Sequence, residues 1–231
     1  MIRGTRYLFG DEADLFSEVT TRLRTVAMAA GYREFIPSAL SESSLFVDKA
    51  GPEILGQMYN FRDKKDRSIC LVPEITAVVQ NIYKEKWLKS EPKPVKLFYL
   101  ARCYRYERPQ EGRYREFWQF GVENLGGPAT KTDMIGLLRQ SLGAVIPGGY
   151  VVNDNVKRGL DYYVEDGFEA EVPTLGAQKQ VAGGGRYAEG IGWAVGVDRL
   201  MIAVKNARNT GGAVGRNISD DDSAGAEVDG D

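Results

Sequence analysis

The chain has 231 residues, 43% of them apolar, enough for a sizeable core, and no stretch approaches the ~20 apolar residues that a membrane span needs. It carries no histidine and only two cysteines, which excludes serine–histidine and cysteine–histidine catalysis and a disulfide scaffold. The net charge of −2 is unevenly placed: residues 220–231 hold six acids and no base, so the rest of the chain stands at about +4.

The first residues, Met1 to Arg6, lack the apolar run of a signal peptide, so a soluble cytoplasmic protein is expected. Leu15, Phe16, Val19, Leu23, Val26, Ala27 and Ala30 recur at steps of three and four, which predicts an amphipathic helix over 12–30. Asp11 is its candidate N-cap and Gly31 its C-terminal stop. Residues 34–37 read as a short strand ended by Pro37. Gly51-Pro52 marks a turn. Residues 58–61 and 67–72 read as paired strands around the polar turn 63–66. A helix over 75–87 follows, then long strands over 95–106 and 117–125. The spacing predicts a helix over 132–145, stopped by Pro147-Gly148-Gly149. Short strands, a glycine cluster and a final helix around 197–207 complete the pattern. Cys70 and Cys103 both sit in strand-like apolar runs and read as small buried hydrophobes. Strands clustered between helices predict an α+β domain, an antiparallel β-sheet flanked by helices. Beyond Thr210 the composition turns to Gly, Ser, Ala and Asp. The domain reading is therefore one body over 1–210 and an acidic, disordered tail over 211–231.

The stretch from Tyr104 to Glu123 carries the most chemistry. It reads strand, arginine-rich loop, strand, with Pro109 and Gly112 supplying the turn. On the second strand Phe117, Gln119, Gly121 and Glu123 share one face by the period of two, with Gly121 leaving room for a ligand. Arg105 and Glu107 share a parity on the first. Arginine forks suit phosphate oxygens and a phenylalanine face suits a purine ring. An ordinary solvated hairpin also fits this alternation.

This stretch resembles motif 2 of class II aminoacyl-tRNA synthetases in the histidyl-tRNA synthetase version: Arg105-Tyr106-Glu107-Arg108-Pro109-Gln110, Gly112-Arg113-Tyr114-Arg115, then Phe117 and Gln119. Arg158-Gly159-Leu160-Asp161-Tyr162-Tyr163 resembles a second signature of the same family. Gly183-Gly184-Gly185-Arg186-Tyr187 and Gly196-Val197-Asp198-Arg199-Leu200 resemble its glycine-rich segment and motif 3. Val72-Pro73-Glu74-Ile75-Thr76 resembles its substrate loop, with Val72 in place of arginine and Ile75 in place of glycine. The resemblance implies ATP-binding by Arg105, Glu107, Arg113, Phe117 and Arg199, with Arg105 and Arg158 catalytic. It implies amino-acid binding by Glu74, Thr76, Gln119, Glu123, Arg158, Tyr163 and Tyr187. Mg²⁺ would accompany ATP, with no metal held by protein side chains alone.

Three functions follow from this resemblance. The first is ATP-dependent activation of histidine by a homodimer, with tRNA as the further acceptor. The second is a non-catalytic paralogue serving as a regulatory subunit. The third is a ligase that charges a non-tRNA acceptor, since only 35 positions separate Glu123 from Arg158, where the family places an additional helical domain. The family's anticodon-binding domain is likewise expected to be missing from the 32 residues after Arg199.

Overall fold

Two ten-residue strands rich in apolar residues, each buried over much of its length, organise the chain. β5 (Val95–Tyr104) and β6 (Glu116–Leu125) pair antiparallel along their whole length. β10 (Gly190–Gly196) lies on the far side of β6, followed by β9 (Gln180–Tyr187), β8 (Gly167–Glu171) and β7 (Val151–Val156), all antiparallel. β1 (Arg33–Glu34) adds to β5 in parallel, giving the order β1-β5-β6-β10-β9-β8-β7. A second sheet, ordered β2-β4-β3, joins Leu40–Glu42 (β2), Ser68–Leu71 (β4) and Tyr59–Arg62 (β3). It contains the expected hairpin. Asp63 closes its turn by accepting from the backbone N–H groups of Lys65 and Arg67.

The computed structural model describes residues 2–47 and 54–214. The turn expected at Gly51-Pro52 and the acidic tail from residue 215 onward lie outside the described residues.

Helices α1 (Asp11–Ala29) and α4 (Lys131–Val145), together with α5 (Val197–Val214), cover one face of the large sheet. Val19, Leu23, Leu138 and Leu142 pack there on Phe98, Phe120, Val122 and Trp193. α2 (Ser44–Val47) and α3 (Thr76–Ile82) lie with the small sheet against the opposite face, where Leu97, Tyr99, Ala101 and Cys103 meet Phe46, Val72 and Ile75. α3 continues through a π-helical turn, Tyr83–Trp87, so the helix expected over 75–87 is present. Both cysteines are buried and free, as expected.

The helix ends differ in detail from the sequence reading. Asp11 is not the N-cap of α1: Gly10 holds that position at a φ of 54°, and Asp11 begins the helix. Asp11, Glu12 and Asp14 instead complement the helix dipole in the first turn. Gly31, at a φ of 81°, ends α1 as expected. Its N–H bonds Met28 and the N–H of Tyr32 bonds Ala27, the paired bonds of a Schellman stop. α4 is opened by a capping box in which Thr130 and Asp133 satisfy each other's backbone N–H groups. α5 runs past the expected end at Ala207. Lys205 and Arg208 anchor it to Glu12 and Glu18 of α1.

Candidate active site

The site lies on the face of the large sheet away from α1 and α4, and the first turn of α5 reaches its edge. A cavity of about 510 Å³ opens there between the β5–β6 hairpin, the start of α3, the segment before β8, and β9. Arg105, Glu107, Arg113, Phe117 and Gln119 supply the hairpin wall. Glu74 and Thr76 stand at one end, Arg158 and Tyr163 opposite, and Arg199 enters from α5. Ten of the residues singled out in the sequence thus line one cavity. Glu123 and Tyr187 do not line it. They are fully buried behind Thr76 and Tyr163.

Glu123 is the centre of that buried layer. Its carboxylate accepts from the Thr76 hydroxyl at 2.8 Å and from the Tyr187 hydroxyl at 2.7 Å. Burial pushes its pKa up to about 8, against the pull of the two hydroxyls. Glu74 is also buried, and burial raises its pKa too. Its oxygens accept from the N–H groups of Thr76 and Ala77 at 2.8 and 2.9 Å, and Arg105 offsets part of the shift. Thr76 therefore joins two buried carboxylates, one through its backbone and one through its hydroxyl. This is an environment prepared for cationic or hydrogen-bond-donating groups.

The arginines form the other half of the cavity. Arg105 donates its Nε to the carbonyl of Pro73 at 2.9 Å, and its guanidinium stands 5.3 Å from the centre of the Phe117 ring. Arg113 pairs with Glu107. Arg158 faces Glu169 at 3.3 Å. Arg199 donates to the carbonyls of Gly112 and Gln180 and to the Gln178 side chain. Burial, then the charges of Arg113 and Arg105, push the Arg199 pKa down. A cavity whose cations repel one another this closely is suited to a polyanion.

Glycines make these placements feasible, each by clearing space for one side chain. A Cβ on Gly183 would overlap the Arg158 guanidinium, and one on Gly185 would meet the Tyr163 ring. A Cβ on Gly192 would overlap the Glu123 carboxylate. Gly121 corrects the sequence reading. The space before it is filled by the Tyr99 ring and hydroxyl, so it admits a buried side chain of β5 and not a ligand.

Two further residues belong to the site. Tyr162 lines the cavity, and its hydroxyl lies 3.4 Å from Glu74. It stands in the Arg158–Tyr163 signature, where its neighbour Tyr163 drew the role. Gln178 also lines the cavity and holds Arg199, with no sequence signal to mark it. Val72 and Ile75, the departures in the substrate loop, are buried in the core under the small sheet and line no part of the cavity.

An antiparallel sheet with helices on one face and this cavity on the other defines the catalytic core of a class II aminoacyl-tRNA synthetase. Apo histidyl-tRNA synthetase of S. aureus superposes on it with a TM-score of 0.75 and 25% identity, over 89% of this chain and 70% of that one. The chain belongs to the histidyl-tRNA synthetase family, whose model matches residues 4–154. Histidine–tRNA ligase of Archaeoglobus fulgidus is 29% identical over 307 aligned residues, 87% of this chain and 75% of its own length. That span exceeds the 231 residues here, so the archaeal relative carries internal residues with no counterpart in this chain. The short Glu123–Arg158 connection agrees with this: α4 and β7 fill it, joined by residues 146–150. A Bacillus halodurans protein described as an ATP phosphoribosyltransferase regulatory subunit/histidyl-tRNA synthetase shares the fold, with a TM-score of 0.76 and 15% identity over 89% of this chain and 83% of that one. No helix among the described residues is long and apolar enough to cross a membrane.

Proposed function

We propose that the chain activates histidine with ATP, forming histidyl-adenylate and pyrophosphate, and passes the histidyl group to tRNA. The observation that carries this reading is one cavity in which Arg105, Arg113, Arg158 and Arg199 stand beside Glu74, Thr76, Gln119 and Tyr163. A histidine carboxylate oxygen would attack the α-phosphorus in line. The bond to the bridging β-oxygen would break, and pyrophosphate would leave. Arg105 and Arg158 would oppose the charge that develops on the α-phosphoryl group. Arg113 would hold the γ-phosphate, Glu107 the adenine amino group, and Phe117 and Arg199 the two sides of the base. Glu74 and Thr76 would hold the α-ammonium group. Gln119, Tyr163, Tyr187 and the buried Glu123 would select the imidazole.

The carboxylates that line the cavity are engaged: Glu74 on backbone N–H groups, Glu107 on Arg113, and Asp198 on Arg6 and the N–H of Trp118. With these three engaged, a Mg²⁺ ion would be carried in on the phosphates of ATP and not held by these side chains. Such an ion neutralises polyphosphate charge.

Histidine-dependent ATP–pyrophosphate exchange tests the activation step, and absence of exchange with every amino acid would remove it. Aminoacylation of tRNA, compared with a carrier protein, separates tRNA from another acceptor. The Bacillus halodurans neighbour favours a regulatory subunit as the second reading. The four arginines favour ATP use instead. The same proposal has the protein act as a homodimer in the cytoplasm. Exposed Tyr7, Phe9, Ile36 and Leu40 support the dimer as surface that a symmetric interface would cover. Sedimentation as a monomer at micromolar concentration would remove it.

A further inference from the structure

Beside the cavity, and outside it, a second concavity is lined by Arg3, Arg108, Arg115, Tyr106 and Pro109. Arg3, Tyr106 and Arg108 are exposed. Arg115 is fixed in place: its Nε donates to the Glu107 carbonyl, its Nη1 to the Arg3 carbonyl, and its guanidinium lies 3.9 Å from the centre of the Tyr106 ring. None of the three arginines makes a side-chain ion pair among the described residues. The Glu107 carboxylate at the same place is taken by Arg113. On the α1–α5 surface the cations Lys205, Arg208 and Arg22 are already neutralised, Lys205 by Glu12 and the two arginines by Glu18. The mouth is therefore a concentrated positive charge with aromatic surface, left without an anion.

The chain carries the complementary charge. Residues 217–231 hold Asp220, Asp221, Asp222, Glu227, Asp229 and Asp231 and no base. They follow α5, whose first turn is tied to the loop that forms the mouth. Arg199 donates to the Gly112 carbonyl, and Asp198 accepts from Arg6. From residue 198 to residue 214 the helix advances about 24 Å at ~1.5 Å per residue. Residues 215–231 span up to about 56 Å at ~3.3 Å per residue, so the acids can return to the mouth. Tethering also gives them an effective concentration in the millimolar range.

We infer that the acidic segment 217–231 docks on the Arg3–Arg108–Arg115 mouth of its own chain and occupies it as a competing polyanion. Docked there, it covers the loop between β5 and β6 and excludes other polyanions from it. A salt rise releases it, because the contacts are between exposed charges.

The test uses the full chain and needs no catalytic readout. Cys70 and Cys103 are both fully buried, so Ser223→Cys supplies one reactive thiol for a nitroxide label. At low salt the label should broaden amide signals of residues 106–115 at least several-fold more than those of α4. About 1 M salt, where the Debye length is ~3 Å, should remove the difference. The double variant Arg3→Glu, Arg108→Glu should remove it at low salt too. Three results would overturn the inference: no preferential broadening of 106–115 at low salt, broadening that survives the double variant, and broadening that grows with protein concentration. The last would assign the mouth to the tail of a second copy.

Discussion

The two faces of the large sheet are built from the same strands and do opposite work. Along β6, Phe120 and Val122 point to the helices and pack with Phe98 and Trp193. Phe117, Gln119 and Glu123 point the other way, to the cavity and the buried layer behind it. In β9 three consecutive glycines alternate in the same manner. Gly183 and Gly185 clear space for Arg158 and Tyr163, while Gly184 clears it for Trp193 and Phe168. The helix face is held by apolar area, while the site face adds to its apolar contacts hydrogen bonds to the buried carboxyl groups of Glu74 and Glu123. Loss on the first face should therefore appear as lost stability, and on the second as lost chemistry or altered pH dependence.

The largest expected effect is on the helix face. Phe120→Ala should cost about 3–5 kcal/mol of stability, since a fully buried aromatic ring leaves a cavity. Denaturant titration reads this, and ATP–pyrophosphate exchange per folded molecule should be nearly unchanged. Gly183→Ala should do the reverse. Its new methyl meets the end of a flexible side chain, so Arg158 swings aside and the sheet survives. Exchange should fall by roughly 10²–10³, the loss expected when one group that stabilises a developing charge is displaced. A loss of stability with exchange intact would show that the two faces are not separable in this way.

The halves were not equally legible in the sequence. The hairpin was plain, because period-two alternation and the turn residues Pro109 and Gly112 lie in one stretch. The arginines and Glu74 were marked by local motifs. What could not be read was the pairing of glycines with side chains distant in sequence. Gly121 was read as ligand space because only the register of β5 on β6 sets Tyr99 opposite it. Gly192 and Glu123 meet for the same kind of reason, across β10 and β6. Val72 and Ile75 stand in the substrate-loop motif, yet burial under the small sheet gives them to the core. Gln178 sits on a 3₁₀ segment with no periodic pattern, and only the fold brings it to Arg199.

The next effect is a pH dependence confined to the site face. Burial raises the Glu123 pKa to about 8, while an unfolded glutamate titrates near ~4.3. Between those values the folded state holds a proton that the unfolded state has lost. Stability should therefore fall as pH rises through this window, by up to about 1.4 kcal/mol per pH unit. Below the window both states are protonated, and above it both are ionised, so the slope vanishes at either side. Glu123→Gln should remove this component and leave the smaller one from Glu74, whose pKa burial also raises. Unfolding free energies measured from pH 5 to 8 should thus diverge between the two proteins as pH rises. Parallel curves would mean that Glu123 is ionised throughout.

The smallest effect compares two tyrosines on the site face. Tyr187 donates to Glu123 at 2.7 Å, and Tyr162 lies 3.4 Å from Glu74. Tyr187→Phe leaves a buried carboxylate with one donor fewer, at a cost of about 1 kcal/mol, because Thr76 still bonds the other oxygen. Tyr162→Phe removes a long contact from a carboxylate that keeps two backbone N–H groups, and should cost less than about 0.5 kcal/mol. Both rings stay packed, so chemical denaturation isolates the hydroxyls. Equal losses would mean that the hydroxyls act through something other than the buried carboxylates, and the charge-based account of this face would fail where it is easiest to measure.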